Sequence, residues 1–232
     1  MNARKVSVLI ACRDGAGFIE KALGSVLSQT LRPEEYEVIL VNDASRDSTE
    51  EVLRPYRDHP NFRYLKNSEG LGLARTCNRA LEAARGDYVV RLDADDTFEP
   101  ALLEELCGPL DRKETDFVSC DRRELNLETG QARLVRVRPF NLFRLIAIGT
   151  MMRRDLLLQI GGWRDLLLEE YDLYLRYLSH SRIAPIHIPR ALLTYTIRSG
   201  SMTSDPASSE KGWKQLRRIW PRKLLERSGA PI

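Results

Sequence analysis

Residues 86–96 read GDYVVRLDADD, a short strand-like run followed by three acidic residues within four positions. In an extended segment, residues i and i+2 project to the same side, so the carboxylates of Asp93 and Asp95 can face one object. Asp96 is expected to point away from them. Two like charges held close together need compensation, and a hard divalent ion that bridges to substrate phosphates is a natural partner. An isolated triplet of this kind is more often an exposed acidic turn that caps the next helix.

The acidic run closes an alternation of strands and helices that fills the first hundred residues. Strands are predicted over residues 6–11, 36–41, 62–65 and 87–92, and amphipathic helices over 18–27, 48–56 and 73–85. This rhythm predicts an α/β fold with a mostly parallel central sheet and helices on both faces. Ligands of such sheets bind beyond the carboxyl ends of the strands, where Asp43 and Asp93 both fall.

Two local signals mark helix ends in this first half. Ser48 and Glu51 have the spacing of a capping box, which predicts a helix that opens there. Gly86 is expected to end the third helix, because glycine commonly follows the last helical residue.

The regular alternation of strands and helices changes after residue 96. A hairpin is predicted for residues 122–137 around a turn at 128–131, with short helices over 153–160 and 170–178 and late strands over 183–187 and 191–197. Three acids, Glu169, Glu170 and Asp172, open the second of these helices. Since the helix macrodipole favours acids at that end, they indicate a site only weakly on their own.

Composition narrows the class of protein. The chain has 232 residues, of which 43% are hydrophobic and 30% charged, which fits one large domain with a small appendage. Disorder, collagen and a disulfide scaffold are excluded. No stretch approaches the ~18 consecutive apolar residues of a membrane span, and the first apolar run is too short for a signal sequence. Four scattered cysteines predict free thiols and a cytoplasmic protein.

The C-terminal residues carry a net positive charge, unlike the rest of the chain. Seven basic residues face two acidic ones from residue 207 onward, and the rest of the chain is slightly acidic. We therefore predict a domain over residues 1–205 and a basic amphipathic tail over 206–232. The tail has apolar residues at helical spacing, namely Trp213, Leu216 and Trp220. This spacing predicts either a helix on an anionic membrane surface or a helix that packs its tryptophans on the domain. Nucleic acid is not an expected partner.

Seven segments form an ordered series along residues 5–204. They are Val6–Ile10, Val41–Thr49, Gly70–Asn78, Gly86–Tyr88 with Leu92–Asp96, Gly161–Trp163, Glu169–Asp172 and Gly200–Thr203. This series resembles that of family 2 glycosyltransferases, inverting enzymes of the three-layer GT-A fold that use nucleotide-diphosphate sugars. Each motif is weak alone, but their order is specific.

The resemblance implies donor-binding roles for several positions. Asp43 matches the acid that binds the nucleotide base, with Asp14 beside it, and Arg75 matches a basic position that lines the nucleotide site. Asp93 and Asp95 match the family's Asp-x-Asp motif, which holds the ribose and the metal-bound diphosphate. The implied cofactor is Mg²⁺ or Mn²⁺, with Asp93 and Asp95 as the metal-binding residues.

The resemblance also implies the catalytic groups. Glu170 falls where the family has the Asp that deprotonates the acceptor hydroxyl, with Glu169 and Asp172 as alternatives. Asp95, through the metal, stabilises the leaving diphosphate. Arg198 stands where many relatives carry a metal- or diphosphate-contacting His. As an arginine it is expected to grip the diphosphate with two N–H groups.

The expected activity is thus metal-dependent, inverting transfer of a sugar to a hydroxyl acceptor, either a glycan or a lipid-linked sugar. The departures at Glu170 and Arg198 leave open a catalytically silent subunit that binds nucleotide sugars. A nicotinamide-dependent dehydrogenase is disfavoured, since the loop after the first strand lacks the third glycine of its fingerprint. Attachment to the inner face of the cell membrane and a homodimer are further options.

Overall fold

One mixed sheet organises the protein in the computed structural model, which describes residues 4–199 and 206–230. The strands are β1 (Val6–Cys12), β2 (Tyr36–Asn42), β3 (Phe62–Lys66), β4 (Tyr88–Arg91), β5 (Thr97–Phe98), β6 (Phe117–Asn126), β7 (Ala132–Val135), β8 (Met151–Arg153) and β9 (Ile186–Ile197). Their order across the sheet is β3-β2-β1-β4-β8-β6-β9-β5, with β7 paired to β6.

The helices alternate with these strands. They are α1 (Ile19–Leu27), α2 (Thr49–Leu53), α3 (Leu73–Ala83), α4 (Leu102–Asp111), α5 (Arg154–Gln159), α6 (Glu169–His180), α7 (Pro206–Ile219) and α8 (Arg222–Arg227). Short 3₁₀ turns occupy residues 33–35, 54–56 and 142–144. The predicted Gly200–Thr203 motif lies outside the described residues.

The first half of the sheet is parallel, as predicted. Strand β1 pairs in parallel with β2 and β4, and β2 pairs in parallel with β3. Every residue of β2 is buried, which explains its near-continuous run of apolar residues. Because Cys12 is in register with Asn42, and Leu9 with Arg91, the strands end at one edge of the sheet.

The second half is mixed in direction. Strand β8 runs antiparallel to both β4 and β6, while β9 runs parallel to β6 and antiparallel to β5. Strand β8 was not predicted, because three residues are too few to show an alternation. The two predicted late strands are one strand, β9, which has register irregularities opposite residues 120–122.

Helices cover both faces of the sheet and form two cores. Helices α1 and α4 share one buried cluster with one side of β1, and α3, α5 and α6 share the other with the opposite side. The predicted three-layer α/β arrangement is therefore confirmed. The four cysteines are buried free thiols within these cores.

The structure differs from the predicted helix ends at Ser48 and Gly86. Ser48 makes no side-chain cap at α2; instead the backbone N–H of Thr49 donates to Asp47 Oδ1 at 3.0 Å. Helix α3 ends at Ala83, before Gly86. Gly86 is needed for a close crossing, since a Cβ there would lie 2.6 Å from the backbone of Ser7.

The basic tail packs on the body of the protein through its apolar residues. Leu216 is buried, and the ring of Trp213 stacks on Tyr171 of α6 at 5.6 Å between centroids. The indole N–H of Trp220 donates to Asp172 at 3.0 Å. Of the two predicted arrangements of the tail, the structure therefore shows the one in which the tryptophans pack on the domain. Within the described ranges, no helix has the length and apolar character to span a bilayer.

Candidate active site

A cavity of about 270 Å³ opens at the carboxyl ends of β1 and β4. Its wall is mainly built from the loop after β1, the acidic turn after β4 and the end of β9, with Phe18 and Leu73 as apolar lining. Charged side chains of both signs face it; they are Arg13, Asp14, Arg91, Asp93, Asp95 and Arg198. Four of these were predicted from the sequence to be in the site, namely Asp14, Asp93, Asp95 and Arg198.

Arg91 forms the floor of the cavity and links two acids. Its Nε and Nη2 donate to the two carboxylate oxygens of Asp93 at 2.6 and 3.0 Å, and its Nη1 donates to Glu169 at 2.7 Å. Burial alone would lower the pKa of Arg91, but the charges of Asp93 and Glu169 hold that pKa well above its usual value. A buried guanidinium is tolerated because both acids compensate it.

Arg198 reaches the cavity from the end of β9. Its Nε donates to Asp95 Oδ2 at 2.9 Å, and its guanidinium lies 4.9 Å from the centre of the Phe18 ring, within range of a cation–π interaction. The strand is fixed beside the acidic turn because the backbone N–H of Thr196 donates to Asp96 at 2.7 Å. Residues a hundred positions apart in the chain thus meet at one turn.

Asp96 points away from the cavity, as predicted, and is fully buried. Its Oδ1 accepts from Thr196, while its Oδ2 has no hydrogen-bond donor among the described residues. Burial raises the pKa of Asp96 to about 9, and the neighbouring charge of Asp93 adds to the effect. Asp96 is therefore protonated at neutral pH.

Asp43 does not line the cavity, but its Oδ2 lies 4.0 Å from Nη1 of Arg13, which does. Its carboxylate accepts from Asn67 Nδ2 at 2.6 Å and from the backbone N–H groups of Leu71 and Gly72 at 2.8 and 3.0 Å. Burial opposes ionisation of Asp43, but these hydrogen bonds outweigh it and lower the pKa. The ionised carboxylate fixes the loop that leads into α3, where Gly72 has a φ of +84°.

Asp14 lines the cavity from the loop after β1. Its Oδ1 accepts from the backbone N–H of Arg46 at 2.7 Å, and its own N–H donates to Ser45 Oγ at 2.9 Å. The two βα loops are thereby joined beside the cavity. Arg75 differs, because it is exposed on the first turn of α3 and does not line the cavity.

The three acids of α6 have different environments. Glu169 is buried and paired with Arg91, and Asp172 is buried against Arg176 at 2.8 Å and Trp220. Glu170 is partly buried, and the structure gives its carboxylate no hydrogen-bond or ion-pair partner within residues 4–199 and 206–230. Burial raises the pKa of Glu170 to about 8, and the charge of Glu169 adds to this. Of the three candidate bases, Glu170 is the one whose carboxylate has no partner among the described residues.

Sequence reasoning missed Arg13 and Arg91. A signal for Arg91 was present, because a charged residue in an otherwise apolar strand requires buried partners. Arg13 gave no such signal, since a basic residue in a loop is ordinarily solvated.

The carboxylates of Asp93 and Asp95 leave few oxygens free to bind a divalent cation. Across the described residues there is no group of three or more His, Cys, Asp or Glu side chains arranged to hold a metal. Both oxygens of Asp93 accept from Arg91, whereas only one oxygen of Asp95 is engaged there. Because Mg²⁺ is commonly held by one or two carboxylates plus substrate phosphates, the residues fit a cation bound at Asp95 and completed by a diphosphate.

Solved structures show the fold. S. aureus TarS (residues 1–349) in complex with UDP-GlcNAc superposes with a TM-score of 0.79 at 21% identity, covering 98% of this chain and 68% of that one. A mannosyltransferase from Pyrobaculum calidifontis, PcManGT in complex with GDP-Man and Mn²⁺, superposes with a TM-score of 0.73 at 19% identity over the same shares. The fold is that of the GT-A glycosyltransferases.

The family follows from sequence. Residues 7–161 match the model of glycosyl transferase family 2. The chain belongs to this family, which confirms the resemblance.

Curated relatives agree with this assignment. The putative glycosyltransferase EpsH of Bacillus subtilis is 31% identical over 131 residues, or 56% of this chain and 37% of that protein. The chondroitin synthase of Pasteurella multocida is 37% identical over 103 residues, or 44% of this chain and 10% of that protein. The chain spans only part of the length of these relatives.

Proposed function

We propose that the protein transfers a sugar from a nucleotide-diphosphate donor to a hydroxyl acceptor, with inversion and with the help of Mg²⁺ or Mn²⁺. The observation that carries the proposal is one cavity in which Asp95 and Arg198 meet. Glu170 does not line this cavity, but it follows Glu169, which Arg91 bonds to the cavity wall. Metal-dependent inversion needs these parts: a place for the diphosphate and a base for the acceptor.

Arg198 and Asp95 form the diphosphate end of the proposed site. A guanidinium matches phosphate geometry with two parallel N–H donors, and Arg198 is already held in the cavity by Asp95 and Phe18. A cation at Asp95 would act as a Lewis acid toward the leaving diphosphate. Asp93 stays our prediction for the ribose, with its carboxylate fixed in place by Arg91.

Glu170 is the proposed base. Its raised pKa suits proton transfer near neutral pH, because an effective base has a pKa close to the working pH. It accepts the proton of the acceptor hydroxyl as the oxygen attacks the anomeric carbon, and the bond to the diphosphate breaks on the opposite face. One displacement inverts the anomeric centre.

Two relatives of known structure guide the choice of donor. TarS has been solved with UDP-GlcNAc and PcManGT with GDP-Man and Mn²⁺, so UDP- and GDP-sugars are the first candidates. Asp43, Asp14 and Arg75 stay predictions for the nucleotide end of the site.

A thermal-shift panel of UDP-, GDP- and dTDP-sugars, each with and without Mn²⁺, tests the proposal. Because stabilisation grows with ligand concentration over dissociation constant, the correct donor should raise Tm most, and more with Mn²⁺. Release of nucleoside diphosphate then separates an enzyme from a silent binding subunit. No shift with any nucleotide sugar would contradict donor binding, and a shift without turnover would favour the silent subunit.

The basic tail supports a second part of the proposal, peripheral contact with an anionic membrane at its cytoplasmic face. The exposed residues of α7 and α8 include Lys211, Arg217, Arg218, Lys223 and Arg227, while the tryptophans face the protein. Such contact would be electrostatic and weakened by salt.

Co-sedimentation with vesicles containing anionic lipid tests the membrane contact. Wild type should bind at low salt, and a variant with Arg217, Arg218 and Lys223 changed to Gln should not. Equal binding by both chains would contradict the role of this face. A homodimer stays a prediction, checked by light scattering of the same samples.

A further inference from the structure

Arg91 occupies an unusual position for a charged residue. It is the last residue of β4, lies among the apolar strands of the sheet, and is 4% exposed. Its guanidinium is bonded on two sides: to Asp93, two residues on in the acidic turn, and to Glu169, the first residue of α6. It therefore joins the turn of the proposed donor site to the helix of the proposed base.

Stability alone does not account for this arrangement. Burying Arg91 and Glu169 beside the partly exposed Asp93 costs desolvation energy, and well-packed apolar residues in place of a buried ion pair are often as stable or more so. A Met at position 91 and neutral residues at the other two positions would avoid that cost. What apolar residues cannot supply is a fixed direction for two carboxylates.

This bond joins the first turn of α6 to the end of β4. The helix has no side-chain cap at Leu168, and the backbone bond from Asp172 to Leu168 is long, at 3.5 Å. Tyr171 stacks on Trp213 and donates to the carbonyl of Phe143 at 3.1 Å. The bond from Arg91 to Glu169, at 2.7 Å, adds the contact between this turn and the strand that leads into the acidic turn. Glu170 is the next residue, so its position follows that of Glu169.

We propose that Arg91 is a positioning residue that sets the location of α6, and with it Glu170, relative to the turn that carries Asp93 and Asp95. The inference rests on the proposed function, since it assigns a role toward the transfer reaction. The guanidinium is required rather than a positive charge alone, because Nε and Nη2 face Asp93 while Nη1 faces Glu169. A lysine has one ammonium group and no such fork.

The experiment compares Arg91 with a matched arginine of α6. Arg176 is also buried, donates to Asp172 at 2.8 Å and to the carbonyls of Ile160 and Gly162, and does not touch the acidic turn. The variants are Arg91→Met, Arg91→Lys, Arg176→Met and Arg176→Lys. For each, we would measure Tm and, below every Tm, kcat and KM for nucleoside diphosphate release from the donor that stabilises wild type most.

We expect Arg91→Met to lower kcat about 100-fold, because a displacement near 1 Å between reacting groups has that effect. Arg91→Lys should fold like wild type and recover only part of kcat. The Arg176 variants should lower Tm as much and change kcat little. Equal kcat in Arg91→Met and Arg176→Met would overturn the inference, as would full recovery by Arg91→Lys.

A double-variant cycle keeps the test valid if Arg91→Met folds poorly. Glu169→Gln leaves Arg91 paired with Asp93 and should lower kcat as Arg91→Lys does. The double variant Arg91→Lys/Glu169→Gln should be no worse than either single variant, since groups that act as a unit are not additive. If the reductions in kcat of the two single variants multiply in the double variant, the inference is overturned. If the wild-type protein turns over no nucleotide sugar, the proposed function itself is overturned, and the role of Arg91 in that function is overturned with it.

Discussion

Two acids predicted for the same site have opposite environments. Asp43, after β2, is buried under three N–H donors that lower its pKa, whereas Glu170, at the start of α6, has no described partner and a pKa raised to about 8. Environments that separate pKa values in this way usually separate roles. Asp43 is a fixed anion that holds a loop, whereas Glu170 is the base that we propose.

Replacement of Glu170 by Gln should have the largest effect on activity. We expect kcat to fall by roughly 10²–10⁴-fold, the usual contribution of a general base, with donor affinity unchanged. The measurement is nucleoside diphosphate release together with donor binding by calorimetry. Glu82→Gln, on the exposed surface of α3, is the control and should behave as wild type. A Glu170→Gln chain with full activity would show that another group is the base.

Replacement of Asp43 by Asn should act mainly on stability. The amide would turn an NH₂ group toward N–H donors that now face an oxygen, so we expect a loss of about 2 kcal/mol in the free energy of unfolding. Denaturant unfolding measures this loss. In contrast, Glu170→Gln should be as stable as wild type or more so. Equal losses of the free energy of unfolding in the two variants would contradict the difference between the environments of Asp43 and Glu170.

The pH dependence of stability should separate the two acids in direction. The folded pKa of Glu170, about 8, lies above its unfolded value of about 4.3, so its contribution to stability falls as pH rises between them. Asp43 has a lowered pKa, so its contribution is present above about pH 4 and is lost in more acidic solution.

The measurement is Tm between pH 3 and pH 8.5. The Tm advantage of Glu170→Gln over wild type should grow toward pH 8, and the Tm deficit of Asp43→Asn should shrink below pH 4. The kcat of wild type should rise with pH up to about 8. A flat difference between Glu170→Gln and wild type would mean that Glu170 is solvated like an ordinary surface acid.

Replacement of Asp96 by Asn should have the smallest effect. Asp96 shares the raised pKa of Glu170, but it is fully buried and accepts a hydrogen bond from the backbone N–H of Thr196. An amide has the same shape and still accepts from Thr196, so we expect a change below about 1 kcal/mol. Asp96→Ala would leave the Thr196 N–H without its partner and should be clearly less stable. A large loss in Asp96→Asn would indicate that the carboxyl is ionised.

The sequence predicts the parallel half of the fold better than the mixed half. Strands β1, β2 and β4 are buried on both faces and appear as apolar runs, and the helices between them are amphipathic. Strand β8 is three residues long and pairs with β4 and β6, which are remote in sequence. Pairing of this kind leaves no local pattern.

The same contrast holds for the site. Asp93 and Asp95 are visible as a motif at a strand end, and the resemblance located Arg198, which the structure brings to Asp95. The bond between Arg91 and Glu169 spans 78 positions, and no spacing rule reveals it. Arg75 stays a prediction from the resemblance, and the structure places it on the exposed side of α3, outside the lining of the cavity.

The most direct test of the account is the anomeric configuration of the first product. Wild type would be followed by ¹H NMR as it releases sugar from the α-linked nucleotide sugar selected in the thermal-shift panel. With Glu170 activating the acceptor opposite the diphosphate, the sugar should first appear as the β-anomer. First appearance of the α-anomer would contradict a single displacement, and with it the role given to Glu170.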